Sequence, residues 1–351
     1  MGNPLVSIGV PTANRASYLR ESLQSIRAQD YEPLEIVISD NCSHDETEQI
    51  CRKAAAEDSR IRYVRQPQPL GLYGNHNYCI EASRGELLCL FHDDDERDPG
   101  MVRTYVDFLG AHPDVGVVSS DWDLIDDDGR WIGARDHAVP TVTPGRAYIE
   151  RTLWTGRSSV GCPGAMIRRS ALGDVRFDEQ GAIGFGDFVV WFQIAERHAI
   201  GHVNRRLWRY RIHKKSFSRR TIESLSHDYE SNLRRYCKEY ERRWPEHAAE
   251  ASRWHGLIDR HLFWALMYEV ALSYRPVAGD EVPQTIFEFA GYTLTDDERR
   301  RALEQARRYA TTPGRRALFS AAALMIRAGL TWPLGFAAGH ARRVRRVVGT
   351  R

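Results

Sequence analysis

Short apolar runs alternate with helical patterns over the first 125 residues, and this alternation constrains the fold more than any other feature. Five runs are typical of buried strands, at residues 5–10, 34–40, 61–64, 86–95 and 115–121. The segments between them carry apolar residues at helical spacing. Strands that alternate with helices in this way form a parallel, doubly wound sheet, so the sequence predicts an α/β fold.

Acidic side chains follow three of these strands, at the point where each strand ends. They are Asp40, the triplet Asp93–Asp95 and Asp121. In open α/β sheets, ligands bind at this edge. Adjacent carboxylates repel one another unless a cation neutralises them, and their oxygens suit Mg²⁺ or Mn²⁺. The alternatives are a solvated acidic turn for the triplet and a helix cap for Asp40.

Several classes of protein lack support in the sequence. The chain has neither a GxGxxG motif after its first strand nor a GxxxxGK[ST] motif, which disfavours a dinucleotide fold and a P-loop. Its 6 cysteines are scattered without zinc spacing, as is typical of reduced thiols in the cytosol. We expect no secretory signal, because no basic region precedes a long apolar stretch at the N-terminus, and no transmembrane helix.

Four blocks of sequence resemble a known family. VSIGVPTANRASYLRESLQSIRAQDYEPLEIVISDNCSHDET and GLYGNHNYCIEASRGELLCLFHDDDERDP are similar to the opening blocks of family-2, inverting glycosyltransferases. RFDEQGAIGFGDFVVWFQIA resembles that family's catalytic segment, and WRYRIHKKSFS resembles its closing loop. The blocks occur in the family's order between residues 5 and 218. The resemblance implies a GT-A fold, with a Rossmann-like, mostly parallel sheet flanked by helices.

The same resemblance implies roles for individual residues. Asp187 matches the catalytic base, although a helix cap is the alternative for this residue. Asp93 and Asp95 match the outer acids of the metal-binding DXD motif, and His213 is expected beside them at the metal, which would be Mn²⁺ or Mg²⁺. The residues that match the family's nucleotide-sugar contacts are Pro11, Thr12, Asn14, Arg15, Asp40, Asn41, Asn75, Asp93, Asp94 and Arg211.

Two positions depart from the family pattern. Gly186 stands before Asp187, where the family usually has a glutamate, and this puts the acceptor contacts in question more than the base itself. His92 stands before the acidic triplet, where the family commonly has an acid.

The net charge of +2 conceals an asymmetry along the chain. From Arg299 to the C-terminus there are 13 arginines and one acid, so this tail carries +12 and the preceding residues carry −10. We expect a catalytic domain at residues 1–220 and a helical, Arg-rich region at residues 221–351. The tail would contact an anionic membrane surface, a second subunit or the protein's own acidic domain; nucleic acid is not expected, because no recognised binding module is present.

The function that the resemblance implies is metal-dependent, inverting sugar transfer from a nucleoside diphosphate sugar to an acceptor hydroxyl. A uridine or thymidine donor is favoured, and the acceptor would be a glycan, a lipid-linked saccharide, a protein or a natural product. One alternative is a non-catalytic module that binds nucleotide sugars or carbohydrates. Another is a sugar-nucleotide pyrophosphorylase, which would need a Gly-rich loop where this chain has PTANR. The expected location is the cytoplasm, including the inner face of the membrane.

Overall fold

A computed structural model of the protein describes residues 2–213, 222–272 and 296–327. The chain divides into two compact units, one of residues 1–149 and 158–214 and the other of residues 150–157 and 215–351. The first unit combines a sheet with helices, and the described part of the second is helical. The predicted α/β class with a helical C-terminal region is thereby confirmed.

The described chain up to residue 213 forms ten strands and seven helices. The strands are β1 (Val6–Thr12), β2 (Leu34–Asp40), β3 (Ile61–Arg65), β4 (Leu87–Leu90), β5 (Glu96–Arg97), β6 (Val115–Ile125), β7 (Trp131–Arg135), β8 (Val142–Thr143), β9 (Met166–Arg168) and β10 (Ala199–Arg211). The helices are α1 (Ala16–Arg27), α2 (Thr47–Glu57), α3 (Gly71–Ala82), α4 (Met101–Ala111), α5 (Gly145–Thr155), α6 (Arg169–Leu172) and α7 (Gly186–Ala195).

All ten strands belong to one sheet, in the order β3-β2-β1-β4-β9-β6-β10-β5, with β7 paired to β6 and β8 paired to β10. The pairs β3-β2, β2-β1, β1-β4 and β6-β10 are parallel, and β9 runs antiparallel between β4 and β6. Because β1, β2 and β4 are parallel, their carboxyl ends lie at one edge of the sheet. The loops that follow them carry Asn14, Asn41 and the acidic triplet, so the strand order brings the predicted site together.

The predicted strands match the observed ones because each is an apolar run that fills the core. β1 and β2 are buried along their whole length, and helix α1 packs Leu19, Leu23 and Ile26 against the same core. Three strands end elsewhere than predicted. β4 ends at Leu90, so the acidic triplet lies in a turn beyond the strand, whereas β1 extends to Thr12. β6 extends to Ile125, so Asp121 lies within the strand and not after it.

The described part of the second unit contains α8 (Ile222–Arg243), α9 (Ala248–Leu272), α10 (Asp296–Arg308) and α11 (Pro313–Arg327). Aromatic side chains form part of its core, with Trp254 fully buried against Tyr236 and Tyr240. Residues 328–351, which hold the last arginines of the basic tail, lie outside the described residues. Among the helices that the structure describes, none is both long enough and apolar enough to cross a bilayer.

A buried carboxylate joins the first two strands to the turn before β4. Glu35 accepts hydrogen bonds from the Ser7 hydroxyl and from the backbone N–H and side chain of Arg84. The Ser7 hydroxyl in turn accepts the backbone N–H of Gly85 at 2.7 Å. Glu35 is only 7% exposed, so water cannot readily replace these bonds.

We therefore expect Glu35→Ala to lower the free energy of unfolding by about 1–3 kcal/mol, because it leaves buried donors without an acceptor. Chemical denaturation followed by circular dichroism measures this loss. Glu86→Ala is the matched control, since Glu86 is an exposed acid next to the same turn. Equal effects of the two substitutions would contradict the role of Glu35.

Candidate active site at the carboxyl edge of the sheet

The acidic triplet is buried in the turn between β4 and β5. Asp95 is fully buried and Asp93 is 6% exposed. Arg97 fixes this turn, because its guanidinium donates to the carbonyl oxygens of His92 at 2.9 Å and of Asp95 at 2.7 Å. The sequence alternative of a solvated acidic turn is therefore wrong.

Each carboxylate of the triplet has a different basic neighbour. Asp93 lies 4.0 Å from the side chain of Arg15, and Asp94 lies 3.0 Å from Nε2 of His213. One oxygen of Asp95 accepts the backbone N–H of Arg211 at 2.9 Å. Its other oxygen, Oδ2, is buried 3.8 Å from Arg97 and has no hydrogen-bond partner among the described residues.

Burial and mutual repulsion dominate the electrostatics of the triplet. Burial, followed by the charge of Asp94, raises the pKa of Asp93 to about 7, and the same two causes raise the pKa of Asp95 well above its usual range. Burial also acts on Asp94, but the hydrogen bond with His213 and the neighbouring basic groups lower its pKa. Excess negative charge in a buried turn is the condition that a divalent cation relieves.

The triplet fits a divalent cation on two grounds. Oδ2 of Asp95 is a buried oxygen without a hydrogen bond, and His92, Asp94 and Asp95 offer ligand atoms that all lie within 4.8 Å of one another. Burial lowers the pKa of His92 to about 3, so its imidazole is neutral and able to bind a metal. His92 was noted in the sequence only as a departure. His213 contacts Asp94 but is not in this group of three, and its role as a ligand stays a prediction.

Arg211 is held by protein groups on several elements. Its side chain donates to Glu21 at 2.7 Å, to Glu96 at 2.9 Å and to the carbonyl oxygen of Asp94 at 2.9 Å. The residue is only 2% exposed. These contacts fix the end of β10 against the triplet, and the predicted contact of Arg211 with the nucleotide stays a prediction.

The loop after β1 and the loop after β2 hold each other in place. Asn14 has a left-handed backbone with φ 55°, its N–H donates to the Ser43 hydroxyl, and its side-chain oxygen accepts the N–H of His44 at 2.8 Å. Asp40 is fully buried and accepts the N–H of Ser43 at 2.9 Å and the hydroxyl of Tyr63 at 2.8 Å. Asp40 thus shapes the loop and does not cap a helix.

The two predicted asparagines also connect these loops. The side chain of Asn41 accepts the N–H of Leu70 at 2.7 Å and donates to the carbonyl oxygen of Gly71 at 3.1 Å, so it fixes the start of α3. Asn75 is buried on α3 and donates to the carbonyl oxygen of Ser39 at 3.0 Å. Pro11 and Thr12 form the last two residues of β1 and are buried there.

Asp187 lies in the first turn of α7, one residue inside the helix, and does not occupy the capping position. That position belongs to Phe185, whose backbone is left-handed at φ 63°. Burial raises the pKa of Asp187 to about 6. Burial raises the pKa of the Cys162 thiol, and the charges of Asp187 and Asp95 raise it further. Both carboxylates therefore lie near this one buried side chain.

The glycine before Asp187 has a structural reason. A Cβ atom at Gly186 would lie 2.3 Å from the hydroxyl oxygen of Tyr73, which is closer than any real contact. The same hydroxyl accepts the N–H of Gly186 at 3.1 Å and donates to the carbonyl oxygen of Ile183. Tyr73 therefore fills the space that a glutamate side chain at position 186 would need. The glycine that departs from the family pattern leaves room for this tyrosine.

Comparison with known proteins agrees with this geometry. Residues 7–176 match the family described as glycosyl transferase family 2. A glucosyltransferase of Campylobacter jejuni that acts on GalNAc(5)-diNAcBac-PP-undecaprenol is 36% identical over 102 residues, which are 29% of this chain and 33% of that protein. Three curated relatives, one of which is this glucosyltransferase, are matched over only 14% to 39% of their own length.

Solved structures share the fold. Residues 1–349 of S. aureus TarS align with a TM-score of 0.57 at 18% identity, covering 87% of this chain and 81% of that one. The mannosyltransferase PcManGT of Pyrobaculum calidifontis, solved with GDP-Man and Mn²⁺, aligns with a TM-score of 0.54 at 19% identity, covering 99% of this chain and 88% of that one. The fold is the one that these GT-A glycosyltransferases share. Residues 7–176 carry the similarity to glycosyltransferase family 2, and the acidic triplet lies within them.

Because Gly186 and Tyr73 share one space, we expect Gly186→Ala to destabilise the protein by about 1–3 kcal/mol, as overpacking does. The shift of the unfolding midpoint in denaturant measures it. Gly110→Ala is the control, because a Cβ atom at Gly110 on α4 meets nothing within 4 Å. A Gly186→Ala variant as stable as Gly110→Ala would refute the steric account.

Proposed function

We propose that the first unit transfers a sugar, with inversion, from a nucleoside diphosphate sugar to an acceptor hydroxyl, and that Asp187 is the general base. The observation that carries the proposal is the partly buried carboxyl of Asp187, whose raised pKa of about 6 suits a base at neutral pH. The assignment is supported by the buried Cys162 thiol, whose pKa responds to both Asp187 and Asp95. The helical second unit is assigned an accessory role.

In the proposed reaction, Asp187 accepts the proton of the acceptor hydroxyl as its oxygen bonds to the anomeric carbon. The bond between that carbon and the diphosphate oxygen breaks on the opposite face, and the electron pair leaves with the diphosphate. One displacement inverts the anomeric centre, and no covalent intermediate with the protein is needed. Burial of Asp187 favours this role, because a carboxylate with a pKa near the working pH is both ionised and basic.

Asp93, Asp94 and Asp95 are the proposed metal site, with His92 and His213 as its nitrogen neighbours. A bound Mn²⁺ or Mg²⁺ would supply Lewis-acid stabilisation of the charge that develops on the diphosphate. Arg15 lies next to Asp93, and its positive charge would favour the phosphates in the same place. Asp40, Asn14 and Asn41 are proposed to act by shaping the two loops that receive the nucleotide.

The donor base and the acceptor are open to direct assay. We favour a uridine or thymidine donor on the match of Asp40. TarS was solved with UDP-GlcNAc and PcManGT with GDP-Man, so the shared fold accommodates different bases. A panel of nucleotide sugars scored by slow release of diphosphate would identify the donor without knowledge of the acceptor. We also propose a glycan or lipid-linked acceptor and a cytoplasmic location. The basic tail is proposed to contact a membrane surface or a second subunit.

We expect Asp187→Asn to lower kcat by about 10²–10⁴-fold while the affinity for the nucleotide stays unchanged. Steady-state transfer and calorimetric titration with the nucleotide measure the two effects. Asp174→Asn serves as the control, because Asp174 is an exposed acid on the approach to α7. Turnover of Asp187→Asn within about threefold of wild type would exclude this base. A wild-type protein that binds every donor without turnover would favour a binding module.

The pH profile tests the same assignment independently. Since only the ionised carboxylate accepts a proton, and the pKa of Asp187 is raised to about 6, kcat should fall as the pH drops below 6 and level off above it. The profile is measured at saturating divalent metal, so that the triplet is held in one state. A rate that is flat from about pH 5 to 8 would rule out Asp187 as the base.

Removal of divalent metal should abolish transfer, and Mn²⁺ or Mg²⁺ should restore it. Treatment with EDTA followed by metal titration measures this dependence. Asp95→Asn should raise the metal concentration required for half-maximal activity by about tenfold or more, because it removes a buried anionic ligand. Asp128→Asn, at an exposed turn, is the control. Full activity in excess EDTA would reject the metal requirement.

A further inference from the structure

Three metal-binding side chains meet in the first unit outside the acidic triplet. They are Asp121 on β6, His137 just beyond the end of β7 and His202 on β10. Nε2 of His202 lies 3.0 Å from Oδ1 of Asp121, and Nδ1 of His137 lies 3.1 Å from the same oxygen. His202 is 2% exposed and Asp121 is 6% exposed. The sequence placed Asp121 after a strand, at the edge where ligands bind, whereas it lies within β6.

One buried oxygen of Asp121 is the point at which the three groups meet. Oδ1 accepts the backbone N–H of His137 at 2.8 Å in addition to its contacts with the two ring nitrogens. Three donors therefore converge on one buried anionic oxygen, and two of them are imidazoles that also bind metals when neutral.

His202 can present its Nε2 lone pair to a cation. Its other nitrogen, Nδ1, is buried and has no hydrogen-bond partner among the described residues. A cation bound at Nε2 would replace the contact with Asp121 and leave the ring proton on Nδ1. Trp122, whose ring centre lies 4.6 Å from that of His137, packs against the second imidazole and limits its rotation.

The spacing of the three groups allows a zinc ion to lie between them. A tetrahedral site with bonds of about 2.0–2.1 Å separates its ligand atoms by about 3.3 Å. The two measured separations from Asp121 are 3.0 and 3.1 Å, and all three ligand atoms lie within 4.8 Å of one another. Two imidazoles and one carboxylate are a zinc ligand set with room for a fourth ligand such as water.

We propose that Asp121, His137 and His202 form a zinc site that is distinct from the acidic triplet. The ligands differ in kind, because imidazole nitrogens favour Zn²⁺ whereas a cluster of carboxylates favours Mg²⁺ or Mn²⁺. The bound ion would link β6, the segment after β7 and β10, and so stabilise the middle of the sheet. Arg206 pairs with Asp123 and Asp136 beside the site, and its charge also acts on Asp121.

The test uses the full chain, stripped with EDTA, dialysed, and then held in saturating Mg²⁺ so that the triplet is occupied. We expect it to bind one Zn²⁺ per chain, measured by elemental analysis after gel filtration and by competition with a chromogenic chelator. Zinc should also raise the unfolding temperature. Co²⁺ in its place should give the strong visible absorption of a tetrahedral nitrogen and oxygen site. These measurements do not depend on sugar transfer, so their outcome is independent of the proposed function.

Asp121→Asn and His202→Gln should each weaken zinc binding at least tenfold and remove the thermal shift, and His137→Gln should do the same from the less buried side of the site. His112→Gln, on the same unit, and Asp95→Asn, in the triplet, should leave zinc affinity within about twofold. The proposal is overturned if the wild-type chain binds no zinc. It is also overturned if the three ligand variants fold and bind zinc as wild type does, or if only Asp95→Asn loses the metal.

Discussion

The structure depends on the balance of charge around three consecutive carboxylates. Asp93 and Asp95 are buried and Asp94 is partly buried beyond the end of β4, and burial alone would make three negative charges there very costly. Basic groups from distant parts of the chain offset that cost, with Arg15 from the loop after β1, Arg97 on β5 and His213 beyond β10. The loops of the candidate site are therefore fixed by electrostatics as much as by apolar packing.

The sequence predicted five of the ten strands and the acids near their ends because both are local features. An apolar run such as residues 34–40 carries its own evidence, and acids that follow such runs must lie at the edge of a parallel sheet. The contacts that complete the site are not local. Arg211 reaches Glu21 across 190 residues, and Tyr63 reaches Asp40 across 23. Such pairs leave no periodic pattern in the sequence. From the sequence alone, Asp40 was therefore either a contact of the nucleotide sugar or a helix cap.

The region of the base shows how a departure from a family pattern can be structural. From the sequence alone, Gly186 is the loss of an acidic side chain, because a glutamate is expected there. In the structure the hydroxyl of Tyr73, from α3, occupies that volume and bonds to the backbone at both Gly186 and Ile183. The pair ties α3 to the start of α7, so the first turn that holds Asp187 is rigid without an acidic neighbour. The absence of a side chain at Gly186 and the presence of Tyr73 on α3 therefore depend on each other.

Strand β10 connects the two clusters of metal-binding groups. His202 lies near its start, Arg211 ends it, and its pairing with β6 is interrupted between Val203 and Arg206 and again between Arg206 and Arg209. Such bulges bend a strand and re-aim the residues beyond them. A cation that joins Asp121 to His202 would fix the register across the bulge between Val203 and Arg206. It would thereby fix where β10 delivers Arg211 to the acidic triplet, which argues for a structural role of that cation, separate from the chemistry of transfer.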